Sequence, residues 1–263
     1  MNMEKCKIYT LYSGSKGNAV YFNVCGHEFL IDAGKSARAL CSALNEIGTG
    51  IEKIEAIFIT HEHTDHIAAT EVLSKKYRIP IHICSHSAKK LLERSSNNMS
   101  GCLVSHPPIF EEYLGEVRIR SFVTPHDSLS SVGYRIDYRE DDKDFSVGLA
   151  TDIGHVTDSI REGLLGCTSV VLESNHDIDM LLSGPYPMEL KHRILSPRGH
   201  LSNDDCAAFA AVLAANGTKN IMLAHLSEEN NLPSIALAAT VAAVADDNIK
   251  ITVADSEQPS RLV

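Results

Sequence analysis

The sequence has no stretch near the roughly 18 uninterrupted apolar residues that a membrane helix needs. Its first residues, Met1-Asn2-Met3-Glu4-Lys5-Cys6, pass into a strand-like pattern without the apolar core of an export signal. This predicts a cytoplasmic protein with no membrane association. Any CxxC pair is also missing: Cys6, Cys25, Cys41, Cys84, Cys102, Cys167 and Cys206 are scattered and odd in number. That argues against a zinc ribbon or disulfide scaffold and suits reduced, buried thiols. Positive charge is scarce. With 24 Lys and Arg against 34 Asp and Glu the net charge is −10, which counts against a broad surface for coating nucleic acid. A nuclease survives that argument, because bound divalent ions would dominate the field at one spot. No linker, low-complexity stretch or fixed-period repeat divides the 263 residues, so one domain, 1–263, is expected.

Apolar runs rich in β-branched residues predict strands over 8–12, 19–24, 28–31, 56–59, 81–84, 117–122, 132–138, 145–150, 170–173, 221–224 and 249–253. Segments of 3.6-residue period predict helices over 37–47, 67–76, 88–94, 157–165, 203–216 and 234–246, with Ser202 as N-cap and Gly217 as the stop of the fifth. The strands fall in two batches separated by helices, which implies a layered α/β protein with two sheets face to face and helices outside. The acidic run 140–144 reads as a hairpin tip, and the Ser/Asn-rich stretch 94–108 as a mobile loop.

Against that background stands Thr60-His61-Glu62-His63-Thr64-Asp65-His66, three imidazoles and two carboxylates directly after an apolar run. These are the donors that borderline divalent cations prefer, and mixed N/O sites with a vacant position hold a reactive water. Three more polar residues close apolar runs: His126 after Val123-Thr124-Pro125, Asp152 after 147–151, and His225 after 221–224. A lone histidine at a strand end is usually structural, but three such placements beside HxHxDH point to ligands held by sheet edges. Chemically they divide into two half-sites. His61, His63 and His126 give one ion three imidazoles; Asp65, His66 and His225 give a second ion two imidazoles and a carboxylate; Asp152 bridges them. Two such ions can share a water whose pKa even one ion brings near 7, which makes water the expected nucleophile. The donors suit Zn²⁺, Mn²⁺ and Fe alike and do not choose among them.

HEHTDH followed by His, Asp and His at strand ends resembles the metallo-β-lactamase superfamily over almost the whole chain. The resemblance implies a four-layer αββα sandwich with a dinuclear site at one edge of two mixed β-sheets, and the seven ligands named above. Asp152, where secreted β-lactamases commonly use cysteine, argues against antibiotic hydrolysis. The 152–225 interval leaves no room for the inserted domain of β-CASP nucleases, and 126–152 none for the tRNA-gripping arm of RNase Z. A narrower similarity, to the YycJ/WalJ group of compact members, rests on several strings. They are LYSGSKGNA from Leu11, Pro125-His126-Asp127, LATDIGH from Leu149, ESNHD from Glu173, RGHLSN from Arg198 and AHLSEENN from Ala224. It implies 5′→3′ exonuclease action on double-stranded DNA, with DNA ends as the partner and no protein partner predicted.

The residues offer their own candidates for substrate contact. Ser13, Ser15 and Lys16 lie in a small-residue turn whose amides and ammonium could meet a phosphate, although the turn lacks Walker spacing. His200, just before the 203–216 helix, is the candidate to protonate the leaving oxygen or to hold phosphate at a helix N-terminus. Asn175, His176 and Arg198 are candidate substrate contacts, Asp32 a hydrogen-bond partner for a metal-bound histidine. Asp65, Asp152 and the metal remain open as manager of the water's proton. An acyl hydrolase of the lactonase or glyoxalase II kind is the main rival, since the same centre attacks acyl carbon. A non-catalytic metal-binding scaffold is the other.

Overall fold

The structure, a computed structural model, describes residues 6–95, 99 and 101–263. In chain order the first half runs β1 (Cys6–Tyr12), β2 (Ala19–Val24), β3 (His27–Ile31), α1 (Ala37–Glu46), β4 (Ala56–Phe58), α2 (Thr64–Ile67), α3 (Thr70–Tyr77), β5 (Ile81–Cys84), α4 (Ser85–Arg94) and β6 (Leu103–His106). The second runs β7 (Glu111–Leu114), β8 (Val117–Val123), β9 (Val132–Glu140), β10 (Lys143–Ala150), α5 (Asp158–Leu164), β11 (Ser169–Glu173), α6 (Ile178–Ser183), α7 (Met188–Ile194), α8 (Asn203–Ala215), β12 (Asn220–Ala224), α9 (Pro233–Val244), β13 (Lys250–Val253) and β14 (Ser260–Arg261).

The strands form two seven-stranded sheets, ordered β14-β1-β2-β3-β4-β5-β6 and β13-β12-β11-β10-β9-β8-β7. Each is an antiparallel meander continued by parallel strands: β14 to β3 and then β3 to β6, β7 to β10 and then β10 to β13. Strands β1–β6 and β7–β13 thus follow similar chain paths without sharing a sequence repeat, and β14 returns from the other end of the chain to edge the first sheet. Strand alternation explains the layers. Phe22, Phe29, Phe58, Tyr134, Leu149 and Met222 point between the sheets. Their neighbours Tyr21, Leu30 and Ile57 pack outward with Leu44 of α1, Leu73 of α3 and Leu91 of α4. Val170, Leu172 and Leu223 do the same with Leu164 of α5 and Phe209 of α8. This is the αββα sandwich of mixed sheets expected from the sequence. Among the described residues no helix is long and apolar enough to cross a membrane.

Some elements differ from the sequence reading. Strands β6 and β7 occupy ground read as loop or left unassigned, because both are short edge strands with too little apolar alternation to register. Of the stretch read as a mobile loop, 96–98 and 100 lie outside the described residues, as do 1–5 at the N-terminus. The helix expected over 67–76 is two, α2 and α3. Between them the His66 carbonyl accepts from Ala33 N at 2.8 Å and Ala69 N donates to the Ala33 carbonyl at 2.9 Å. The Ala33 backbone takes hydrogen bonds that a continuous helix would need, and so pins α2 to the end of β3.

On the outer face of the second sheet Asp137 joins three strands, accepting from Arg120 at 2.6 Å, Arg135 at 2.8 Å and Ser146 at 2.7 Å. Arg135 also donates to the Leu165 carbonyl at 2.8 Å, at the negative end of α5. Burial opposes ionisation of Asp137, but Arg135, Ser146 and Arg120 outweigh it and hold the carboxyl below its ordinary value. Asp137→Asn is therefore expected to cost about 1–2 kcal/mol at pH 7, read from the urea midpoint. A depressed carboxyl pKa stabilises the fold above the unfolded value and loses that contribution as pH falls through the folded one. The gap between wild type and variant should narrow in acid; an undiminished gap there would rule out the ionic origin.

Candidate metal centre

Parallel strands deliver their C-terminal ends to one edge of the sandwich, where open α/β sheets bind ligands. Strand β4 stops there because Thr60 turns away: its N–H donates to Asp32 Oδ1 at 2.8 Å and its hydroxyl to Asp32 Oδ2 at 2.9 Å. His61 and His63 follow, and α2 presents Asp65 and His66. The chain behind them is tightly packed, so that a Cβ at Gly34 would collide with the Asp65 carbonyl. Asp32, Asp152 and His225, which follow β3, β10 and β12, have φ of 63°, 56° and 57°. Left-handed backbone is uncommon outside glycine and gathers at functional sites, where surrounding contacts enforce it.

All seven side chains expected to be ligands come together. Their donor atoms form groups within 4.8 Å of one another: His61, His63 and His126; His61, His66 and Asp152; Asp65, His66 and His225. Asp152 lies in the middle. Its Oδ2 is 3.3 Å from His66 Nε2, and its Oδ1 is 3.5 Å from His225 Nε2 and 3.7 Å from His126 Nε2.

In four of the histidines Nδ1 faces a protein acceptor and Nε2 the centre. His66 Nδ1 lies 2.8 Å from Asp32 Oδ2, His225 Nδ1 3.0 Å from Glu173 Oε1, His126 Nδ1 3.2 Å from the Gly199 carbonyl and His61 Nδ1 3.0 Å from Thr60 Oγ1. Holding the proton on Nδ1 frees the Nε2 lone pair, the arrangement that orients metal-binding imidazoles. His61 Nε2, His225 Nε2 and Asp152 Oδ2 are buried with no hydrogen-bond partner among the described residues. Each such orphan costs on the order of 1–3 kcal/mol. A divalent cation would satisfy all three at once, so the donor set fits a metal.

The electrostatics agree. Burial works against charge on every group here, yet His225 and His66 hold the Asp152 carboxyl well below the usual range. Burial would likewise lower His66 and His225, but Asp32 and Asp152 push the first well above its ordinary value, and Asp152 and Glu173 push the second up to about 9. Positive charge is thus favoured beside Asp152, and an ion supplies it by displacing those protons.

A cleft of ≈ 160 Å³ opens onto the centre, lined in part by Ser15, Asn175, His200 and His225. Imidazoles and carboxylates in adjoining groups, at the C-terminal edge of an αββα sandwich and open to solvent through such a cleft, define a metal-dependent hydrolase. The chain belongs to the β-lactamase superfamily: the profile described as "Beta-lactamase superfamily domain" matches residues 27–226. It is 36% identical over 251 residues to "Exodeoxyribonuclease WalJ" of Streptococcus pneumoniae serotype 2, covering 94% of this chain and 91% of that protein. To "Exodeoxyribonuclease YycJ" of Bacillus anthracis it is 33% identical, covering 86% and 84%. Among solved structures, the metallo-β-lactamase fold protein YhfI from Bacillus subtilis superposes with a TM-score of 0.72 at 17% identity, covering 98% of this chain and 100% of that one. These similarities place the chain among YycJ/WalJ-like members.

Not every residue expected to touch substrate is placed to do so. Ser13 is buried and its hydroxyl accepts from His225 N at 2.7 Å, so it braces a site residue. Lys16 points outward onto Glu228 at 2.6 Å. Arg198 donates to the carbonyls of His126 at 2.7 Å and Ser128 at 3.1 Å, which braces the loop carrying His126. His176 is buried and does not line the cleft, while Asn175 does and also donates to the His225 carbonyl at 2.8 Å. The N-terminus of α8 is no phosphate cradle, because Ser202 caps it and Asp204 and Asp205 fill its first turn. His200 precedes it and faces Glu173 at 2.7 Å.

Three residues with structural roles here were not singled out by sequence. Thr60 orients Asp32 and His61. Asn18 Nδ2 lies 3.1 Å from His66 Nε2 and 3.2 Å from Asp65 Oδ2. Glu173, fully buried, accepts from His200 and His225 through Oε1 and from Ile153 N at 2.7 Å through Oε2. The one signal for Glu173 was a carboxylate closing a strand with no other charge in it.

Proposed function

We propose that residues 1–263 form one hydrolytic unit that cleaves phosphodiester bonds at DNA ends, in the 5′→3′ direction, with two divalent ions. The observation that carries this reading is Asp152, whose two oxygens reach donors of both half-sites beside a cleft that also contains His200. DNA rather than another ester is supported by the names of the two exodeoxyribonuclease relatives. His61, His63 and His126 would hold one ion, Asp65, His66 and His225 the other, with Asp152 between; Zn²⁺, Mn²⁺ and Fe²⁺ all suit these donors. Such ions supply Lewis-acid polarisation of the phosphoryl group and an acidified water.

The chain's own residues do the rest. Asp32 and Glu173 keep His66 and His225 oriented with Nε2 toward the centre. Asp65 and Asp152 are the carboxylates placed to take the nucleophile's proton. His200, its Nδ1 engaged by Glu173, carries its other nitrogen as the donor to the departing oxygen. Glu173 raises the basicity of His200 against the effect of burial, so that a proton is retained for that step. Ser15 and Asn175 are among the polar side chains that line the cleft and are offered to the substrate.

Digestion of 5′-labelled duplex DNA, single-stranded DNA and RNA, with Mn²⁺ or Zn²⁺ and a chelator control, tests the reading. Metal-dependent release of label from duplex DNA, with no turnover of a thioester, is the expected result. Thioester or lactone turnover without any nucleic-acid cleavage would transfer the assignment to an acyl hydrolase.

A further inference from the structure

The cleft is small: ≈ 160 Å³ against roughly 300–1,000 Å³ for pockets that enclose drug-sized ligands. It has room for one ring-sized group beside the reacting atoms. One wall comes from a single segment. Leu190, Arg193 and Ile194 share a face of α7 at i, i+3, i+4 spacing, and Tyr186 extends that wall from the α6–α7 connection. Arg193 Nε pairs with Asp127 Oδ2 at 2.5 Å, so the two charges at this part of the cleft offset each other. Apart from that ion pair the wall is aromatic and aliphatic, next to the centre proposed above to cleave phosphodiesters.

Tyr186 is also held ready. Pro185 and Pro187 flank it and fix the backbone on both sides. The ammonium of Lys191, only 5% exposed, donates to the carbonyls of Leu182 at 2.7 Å and Gly184 at 2.8 Å, riveting the turn that leads to Tyr186. Among the described residues no hydrogen bond or ring contact ties down the Tyr186 side chain. A rigid backbone with a free, half-buried ring loses little entropy when a flat partner docks.

We propose that this wall is a subsite for the terminal nucleobase of the substrate, with the Tyr186 ring as its stacking platform. The proposal rests on the phosphodiesterase reading above. Stacking engages the π-face that every base shares, so the subsite tolerates any terminal sequence while sensing whether a base is present.

The test uses fully metal-loaded protein and two duplexes that differ only in whether the terminal nucleotide carries a base or is abasic. Wild type should favour the base-bearing end by about 5- to 100-fold in kcat/KM. Tyr186→Ala should cleave both ends at the slow rate that wild type shows on the abasic one. Tyr186→Phe, which keeps the ring, should retain the preference, and elemental analysis should find the same metal content in all three. Equal rates of wild type on both ends overturn the subsite while leaving the nuclease reading intact, as does a preference that survives in Tyr186→Ala. Failure of wild type to cleave any DNA removes the nuclease reading and the subsite with it.

Discussion

Asp152→Ala should lose bound metal and turnover together, with kcat/KM falling by at least about 10³-fold, equivalent to roughly 4 kcal/mol of transition-state stabilisation. The reason is position more than charge count. Asp65 adjoins one half-site only, through His66 at 3.4 Å, whereas Asp152 approaches His66, His126 and His225. Its left-handed backbone conformation is retained where an extended exit from β10 would aim the carboxylate elsewhere. Asp152→Asn separates the two contributions. The amide keeps the volume and one oxygen, so the fold should persist, but it loses the negative charge that would offset bound divalent metal in a buried site. Elemental analysis beside a phosphodiesterase assay distinguishes the outcomes: full activity with two ions retained in Asp152→Ala would refute the bridging role.

What could be read in advance divides along a physical line. HxHxDH is legible because its donors are contiguous and their spacing reflects one strand end and one helical turn. His126, Asp152 and His225 are legible because an apolar run that ends on a metal-binding residue type is a local pattern. Glu173 closes the strand β11 in the same way, but that local pattern does not tell which histidines it serves. Its partners His200 and His225 lie 27 and 52 residues away, and only the pairing of β11 with β12 and the path into α8 brings them together. Ser13, Lys16 and Arg198 show the converse. Their residue types suited phosphate contact, but a backbone amide, a glutamate and two carbonyls from distant segments had already engaged them.

The fold follows the same division. Interior strands such as β4 and β12 announce themselves by apolar content, since parallel strands covered on both faces read as continuous hydrophobic runs. Edge strands β6 and β7 are half wet and carry Ser105, Glu111 and Glu112, so local propensity understates them. Helices α6 and α7 are six and seven residues long, separated by a Gly-Pro-Tyr-Pro break. They fall below the length at which 3.6-residue periodicity is persuasive, although α7 and the connection before it line the cleft.

Glu173→Gln is expected to be the most damaging single change outside the metal ligands. One carboxylate accepts four hydrogen bonds: His200 Nδ1 at 2.7 Å and His225 Nδ1 at 3.0 Å on Oε1, Ile153 N at 2.7 Å and Leu201 N at 3.3 Å on Oε2. Burial opposes its charge, but His200 and His225 outweigh that and bring its pKa down to about 2. A glutamine is nearly isosteric yet has only one acceptor oxygen. Its amide group must face either the two imidazole Nδ1 atoms or the two backbone N–H groups, leaving donors opposed to donors around a fully buried side chain. If the imidazoles are opposed, His225 must move its proton to Nε2 and forfeit the lone pair it offers to metal, while His200 loses the partner that keeps it basic. The expected result is a 10- to 100-fold weaker metal affinity and a fall in kcat of about 10²–10⁴-fold that excess metal restores only in part. His200→Ala should lower kcat without changing metal affinity, and adding it to Glu173→Gln should cost little more if, as proposed, both changes remove the same proton donor. Full additivity of the two would show that Glu173 acts through His225 alone.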